Sequence, residues 1–528
     1  GLGLAIDYSL LVLTRYREEL AGGSEPFAAV VRSVQTGGRT VVFSACTVAA
    51  SLSALLVFPF YYLRSFAYAG IIVVLLSAVS ATVVLPALLA VLGRNVDRLA
   101  LWRRAIAPAG TGFWHRLATR VMRRPLPVAA GIITLLLFLG APFLNVHFGQ
   151  PDDRMLPPSA STRQASDQIR EGFDANESNA LVVVAPTAGD PVDHQAEVDG
   201  YARSLSVVDG VNRVDAFTGS YIGGQLVLPP VPAVHGRFGN SEGTWLSVVP
   251  SATVDPQSST GEQLAGAARA VPAPFDVGVG GPSARLIDSK ESLARLVPLA
   301  LVIIAIVTFI TLFLLFGSLL VPLKAVVLNL LSLTATFGAM VWIFQEGHGS
   351  GLLDVTATGN LEVTTPILMF CIAFGLSMDY EVFLLSRIKE AHDDGHDNAS
   401  AVALGLERTG GIVTAAAALM GIVFLAFGFS DVAFLKLFGV GLTMAVLVDA
   451  TLIRGLLVPA FMRLAGNANW WAPAPLRRFH DRWGISESAP RHAPTKNGLI
   501  PDSWYQGASP APLLLETGYT ATKRENQT

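Results

Sequence analysis

Two short stretches of this 528-residue sequence set a carboxyl beside a phenol inside otherwise apolar runs: Asp7-Tyr8 and Asp379-Tyr380. An ionisable group at membrane depth costs about 2.5–3.5 kcal/mol on insertion scales, so such groups mark a proton or ion path or pair with one another. A carboxyl held there takes a proton from one side and releases it to the other. Neighbouring residues on a helix point about 100° apart, so neither Asp bonds its own Tyr easily. Facing helices are expected to pair Asp7 with Tyr380 and Asp379 with Tyr8. Gly3 and Gly375 stand four residues before each Asp, on the same helix face. Small residues there are expected to let the two helices approach closely. The plainer reading of the four polar residues is a static clamp between two helices.

Three further charges lie in apolar surroundings. Asp449 and Arg454 share the last apolar run but are five residues apart, which does not suit a pair on one α-helix. They are expected to pair with neighbouring helices or to branch the proton path. Glu381 follows the second Asp-Tyr, where the first has Ser9, and is expected to line a cavity or the bundle interior. No HExxH, GxSxG, Walker or CxxC pattern appears, so a membrane enzyme is the weakest of the functional classes. His392 and His396 sit among aspartates in a polar turn and read as solvated. Cys46 and Cys371 each lie in an apolar run and read as packing residues, so no metal site and no disulfide framework is expected.

The two motifs belong to an internal repeat. GLGLAIDYSLLVLTRYREEL from Gly1 aligns with AFGLSMDYEVFLLSRIKEAH from Ala373: Gly3 with Gly375, Asp7 with Asp379, Tyr8 with Tyr380, Arg15 with Arg387. Thr36-Gly37-Gly38 aligns with Thr409-Gly410-Gly411, Phe66 with Phe438 and Pro86 with Pro459, the offset holding at 372 or 373. A parallel duplication of this kind is a transporter architecture.

The elements that must position these residues are membrane helices. Charged residues are 15% and hydrophobic residues 52% of the chain, and mean hydropathy is +0.50. After an apolar stretch at 1–14 too short to span about 20 residues of bilayer thickness, eight candidate spans follow. They are 41–60, 66–92, 126–144, 296–316, 319–344, 361–385, 410–429 and 432–464. Arg15, Arg17, Arg32 and Arg39, the arginines of 94–125, and Arg387, Lys389 and Arg408 mark cytoplasmic loops, whereas 346–362 holds no Lys or Arg. Segment 145–292 then falls outside. Its order of strand 181–185, helix 192–205, strand 211–217, strand 244–249, helix 261–270 and strand 275–279 predicts a ferredoxin-like α+β domain. The expected organisation is thus a partial helix at 1–14, helices in 37–93, a basic cytoplasmic loop at 94–125, a helix at 126–144, the external domain at 145–292 and helices in 293–466. Residues 467–528, rich in Pro and Ser, are expected to form a disordered cytoplasmic tail. Net charge of −3 with no basic face argues against a nucleic-acid partner.

GLGLAIDY followed by RYREE, and FGLSMDY followed by RIKE, resemble the fourth and tenth membrane helices of the MmpL family, a branch of the resistance-nodulation-division (RND) superfamily. Gly3-x-x-x-Asp7 and Gly375-x-x-x-Asp379 are similar to the superfamily's GxxxD signature, and VDATLIRGLLVPAFMRL from Val448 is similar to the family's twelfth helix. The resemblance implies an α-helical membrane protein of RND type, with pseudo-twofold repeated halves and extracytoplasmic porter domains, in the cell membrane. It implies proton antiport through Asp7, Tyr8, Asp379 and Tyr380, driven by the proton gradient without another cofactor. The implied partners are membrane lipids and a lipid-like cargo, with a homo-oligomer compatible. Helices one to three and the first porter domain of the family have no counterpart here. The chain is therefore expected to be a fragment or to work with a separately encoded N-terminal half. The alternatives are a structural or regulatory membrane protein of the same fold and an inactive split-gene product.

Overall fold

A chain in hydrocarbon must satisfy every backbone polar group internally, which long apolar segments do as helices. The computed structural model describes residues 1–98, 112–173, 177–353 and 355–484. Among the described residues, eight helices are long and apolar enough to cross a membrane: Pro26–Val57, Tyr61–Val96, Pro125–Asn145, Pro282–Phe316, Leu320–Gln345, Thr365–Asp393, Asn398–Phe427 and Ala433–Trp470. The elements used below are α1 (Leu2–Ala21), α2 (Arg39–Ser53), α3 (Pro125–Gly140), α4 (Pro282–Phe316), α5 (Leu320–Met340), α6 (Thr365–Asp393), α7 (Asn398–Phe427), α8 (Ala433–Val448) and α9 (Ala474–Trp483). α1 continues past the apolar stretch at 1–14, because its last turns carry charges that find partners on α6. The charge-bearing helix α6 is the most enclosed, its apolar window being 83% buried.

The duplication extends to fine backbone detail. In the first copy a π-helical segment, Ser80–Val84, precedes the helix Leu85–Leu92, and in the second Asp449–Leu457 precedes Val458–Ala465. Each following helix carries its proline second, Pro86 and Pro459. A helix proline has no N–H and crowds the carbonyl four residues back, and the wider π-turn relieves both. Each copy then stops at a glycine of the same conformation, Gly93 (φ 52°, ψ −130°) and Gly466 (φ 54°, ψ −130°). Positive φ at both suits glycine alone.

The polar segment between α3 and α4 folds into a six-stranded antiparallel sheet. Its strands are β1 (Leu181–Ala185), β2 (Val211–Ala216), β3 (Gly219–Ile222), β4 (Gln225–Leu228), β5 (Thr244–Pro250) and β6 (Gly278–Gly280), in the order β4-β3-β2-β5-β1-β6. Within it β6-β1-β5-β2, with helices Gln195–Ser206 and Ser259–Ala270, is a ferredoxin-like βαββαβ unit. Leu181, Val183, Val198, Leu205, Val214 and Leu246 fill its core. The β3–β4 hairpin was not in the sequence reading. Its signal is Gly223-Gly224, with φ of 56° and 82°, the double positive φ that a tight hairpin turn requires. A two-residue parallel ladder, Phe148–Gly149 with Leu361–Glu362, ties the entrance of this domain to the loop before α6.

The expectation of a structureless tail from 467 differs from the structure at its start. Gly466–Trp470 forms a 3-10 turn and Ala474–Trp483 a helix, held by Asn469, whose side chain donates to the carbonyls of Met462 (2.8 Å) and Gly466 (2.7 Å). The rest of that tail, and residues 99–111 of the basic loop at 94–125, lie outside the described residues.

Candidate functional site

α1 and α6 carry the two Asp-Tyr motifs into the centre of the helical bundle, where all four side chains are buried. The bonds run across the two copies. The Tyr8 hydroxyl donates to Asp379 Oδ2 at 3.2 Å, and the Tyr380 hydroxyl donates to Asp7 Oδ2. The arrangement is reciprocal but not equivalent. Ser44 of α2 donates to Asp379 Oδ1, so both oxygens of that carboxyl are bonded, whereas Asp7 Oδ1 has no hydrogen-bond partner. A cavity of about 20 Å³ touches Asp7, Tyr8, Asp379 and Tyr380 and is closed by Leu376 and Phe383. Space of that size holds a single water.

Ser44 was missed from the sequence, though its signal is there. Thr40, Ser44, Thr47 and Ser51 recur at helical spacing in an apolar run, and all four are buried. Ser51 donates to the Cys371 carbonyl at 2.7 Å, so this polar stripe lies against α6.

The helix-packing glycines do their work against other neighbours than expected. A Cβ on Gly3 would sit 2.4 Å from Met420 Sδ of α7, and one on Gly375 would sit 3.2 Å from Val48 Cγ1 of α2. Each glycine thus seats its helix on the helix that follows the other copy's motif; α1 and α6 meet through side chains. The closest approach of a helix glycine to another helix's backbone, among the described residues, lies elsewhere. A Cβ on Gly338 of α5 would come 2.1 Å from the Leu139 carbonyl oxygen of α3.

Asp449 and Arg454 bond each other directly, which corrects the expectation that residues five apart on one helix would pair with neighbouring helices instead. They lie in the π-helical segment Asp449–Leu457, whose wider turn brings positions five apart into line. Arg454 also donates to the Ser377 carbonyl at 2.5 Å and stands 4.8 Å from the centre of the Tyr380 ring, joining this pair to the Asp-Tyr centre. Glu381 is buried in the field of Lys324 of α5, with Arg454 and Asp449 acting on it more weakly. Lys324, an ionisable residue within a span, was legible in the sequence and not singled out. Its Nζ and Glu381 Oε1 are both buried without a hydrogen-bond partner. Asp449, Arg454 and Glu381 belong to the later copy and Lys324 to α5 before it, so the centre is symmetric in its Asp-Tyr pairs and asymmetric in its surroundings.

Below the centre, at the end of α1 and α6 away from the sheet domain, the repeat forms a crossed quartet. Arg15 reaches Glu390 at 2.9 Å and Glu18 at 3.3 Å, and Arg387 reaches Glu18 at 2.9 Å and Glu390 at 3.1 Å. At the other end, under the sheet domain, lies an apolar cavity of about 530 Å³. Phe58, Phe143, Leu293, Val297, Phe337 and Phe370 line it, and Lys290, paired with Glu262 at 2.8 Å, stands at its polar end.

Comparison with known proteins places this geometry. The trehalose monomycolate exporter MmpL3 of Mycobacterium tuberculosis (strain H37Rv) is 36% identical over 94% of this chain and 55% of its own length. A membrane protein of Streptomyces coelicolor, SCO6666, is 39% identical over 94% of this chain and 65% of its own. The heme uptake protein MmpL11 of M. tuberculosis (strain H37Rv) is 34% identical over 90% and 48%. The chain therefore spans about half to two-thirds of the length of these relatives. A crystal structure of SecDF in its super-membrane-facing form aligns with a TM-score of 0.48 at 15% identity, over 88% of this chain and 53% of that one. The model of the MMPL family matches residues 1–128 and 154–495, and with the relatives it shows that this multi-pass membrane protein belongs to the MMPL family.

Proposed function

We propose that this chain carries the proton-coupling centre of an exporter of lipids or other hydrophobic envelope molecules, driven by the proton gradient. The carrying observation is the reciprocal pairing of Asp7 with Tyr380 and Tyr8 with Asp379 in the bundle interior. A carboxyl there binds and releases protons only if its surroundings change, and each phenol stabilises the carboxylate of the other copy. Protonation of either Asp weakens one bond between α1 and α6, so proton occupancy biases how the two copies pack. One water in the small cavity suffices to pass a proton between the carboxyls. The second cluster, Asp449, Arg454, Glu381 and Lys324, is read as the branch by which the centre meets one side of the membrane. The 530 Å³ cavity accepts acyl chains, since its lining is almost wholly apolar. The relatives named as trehalose monomycolate exporters support a lipid cargo. In this reading the sheet domain is extracytoplasmic, the arginine-rich ends are cytoplasmic, and no cofactor beyond the gradient is used.

Asp379→Asn, introduced at the gene's own locus, keeps the size and one acceptor oxygen, puts an amide donor in place of the other, and removes the titrating proton. Export of the lipid cargo, followed by mass spectrometry of envelope lipids, should fall at least tenfold on the scale of a lost essential proton carrier, about 1.4 kcal/mol or more. The variant should still reach the membrane at wild-type level. Unchanged export with that variant removes the proton-relay reading and leaves the static clamp.

A further inference from the structure

We infer that α9 and the cavity at its C-terminal end form a binding site for an anionic phospholipid of the bilayer leaflet opposite the sheet domain. The inference does not depend on whether the Asp-Tyr pairs carry protons.

α9 is held on the ends of membrane helices just before its start and through His480, and its end opens on a cavity beside α2. Just before it, the Trp471 carbonyl accepts from the Leu319 N–H at 3.3 Å. His480 packs edge-on to Phe313 of α4, ring centres 6.1 Å apart, and covers Gly317, whose φ of +65° ends that helix. Gly484, just past the helix, borders a cavity of about 630 Å³ with Arg39 and Phe43 of α2. A helix of this length covers only about 15 Å. Held at Trp471 on the start of α5 and at His480 on the end of α4, it is placed to run along the membrane face.

Its sequence suits that plane. Leu476, Phe479 and Trp483 recur at i, i+3 and i+7, on one face, and are 38%, 48% and 63% exposed. Arg477, Arg478 and Arg482 occupy the rest of the surface and are exposed. An apolar face with flanking arginines lies at the boundary between acyl chains and headgroups, and the arginines attract anionic lipid. The adjoining cavity completes the site. Val34, Val42 and Phe43 give it apolar walls for a chain, and Arg39 supplies a cation at the level of a phosphate. Two π-turns, Val34–Gly38 and Ser80–Val84, open it, contributing Gly38 and Thr82 to the wall. Such turns commonly sit at functional sites. Charge, apolar face and position thus agree on one occupant, a lipid with a negative headgroup.

The test uses the purified full chain in vesicles of phosphatidylcholine with and without phosphatidylglycerol. Lipid retained after exchange into detergent is counted by mass spectrometry. The wild type should retain phosphatidylglycerol preferentially. The combined variant Arg477→Gln/Arg478→Gln/Arg482→Gln should lose that preference by roughly fivefold per arginine, and Arg39→Gln by a similar factor. A second measurement covers a variant that fails to fold. A spin label at Phe479→Cys, with Cys46 and Cys371 replaced, should be more accessible to oxygen than to a nickel chelate. Equal retention of both lipids by the wild type, or undiminished preference in both variants, overturns the site. So does a label open to the chelate, which places α9 in water, or one shielded from both reagents, which means protein covers it.

Discussion

Asp379 accepts from two hydroxyls and Asp7 from one, and that difference between residues of a duplicated motif comes from a serine the motif does not contain. The Asp-Tyr pairs were legible because charge in an apolar run is conspicuous. Ser44 was not, because a serine in a membrane helix is common and its meaning lies in the face it shares with Thr40, Thr47 and Ser51. The same holds for glycine: Gly3 and Gly375 stand out by their place in the motif, yet Gly338 is the one set against a neighbouring helix's carbonyl. Gly338→Ala should lower stability by about 1–3 kcal/mol, because the new methyl meets a backbone carbonyl that cannot rotate away. Gly3→Ala meets the end of a flexible methionine and should cost far less. Thermal unfolding of the two variants in the same detergent checks the order; equal midpoints would contradict it. In the sheet domain, Asp199 accepts from Arg203 at 2.7 Å and from the Tyr221 hydroxyl at 2.7 Å. These bonds, the Arg203 one first, hold its carboxyl below the ordinary range. A depressed folded value gives stability that is present above the unfolded value of about 3.9 and is lost as pH falls through the folded one. Hydrogen exchange of the β3 segment in the full chain should therefore be faster in Asp199→Asn than in wild type at pH 6. The difference should begin to shrink as pH falls below the unfolded value of about 3.9 and go on shrinking through the lower folded one. A difference that does not shrink at all as pH falls from 6 into the acid range would show that the carboxylate charge plays no part.

The helical elements were readable as apolar runs, but the way they end and bend was not. Periodicity assumes one pitch, and the π-helical segment Asp449–Leu457 breaks it, so two residues that look mispaired in an α-helix bond each other. Proline at second position after each π-turn is the sequence trace of that change, and it was visible only as one more matched residue of the repeat. At the same scale, the quartet of Arg15, Glu18, Arg387 and Glu390 links α1 to α6 through side chains. Arg387 is 3% exposed, while Glu18 and Glu390 are 36% and 34% exposed. Removing one partner of a fully buried pair costs about 3–5 kcal/mol, and the half-open carboxylates reduce this to about 1–3 kcal/mol for Arg387→Gln. Glu18→Gln in the same chain should cost less than the sum of the two single changes, because one neutralisation relieves the other. Strict additivity in a double-mutant cycle of thermal unfolding would mean the crossed contacts contribute nothing.

At the scale of the molecule, the two ends of the bundle differ in charge, and that difference predicts how it sits. The loop before α6 has no Lys or Arg from Glu346 to Glu362, and the parallel ladder binds it to the entrance of the sheet domain. Arg15, Arg32, Arg39 and Arg387 lie at the other end with α9. Positive residues stay on the cytoplasmic side, so the sheet domain should face outward. A serine on a polar strand of that domain, Ser220, would be one choice of labelling position. The fold rules it out, because Ser220 is buried and bonded to Asp215 and His235. Ser241, in the exposed turn before β5, and Ala21, at the exposed end of α1, serve instead. In a chain with Cys46 and Cys371 replaced, Ser241→Cys should react with an impermeant thiol reagent on intact cells. Ala21→Cys should react only after lysis. The two positions are joined through an odd number of crossings, so they cannot both label from outside if the eight spans all cross. Labelling of both on intact cells would mean that one apolar helix lies in the membrane without crossing it. The reverse pattern would turn the whole protein over and place the arginines of α9 against the outer leaflet.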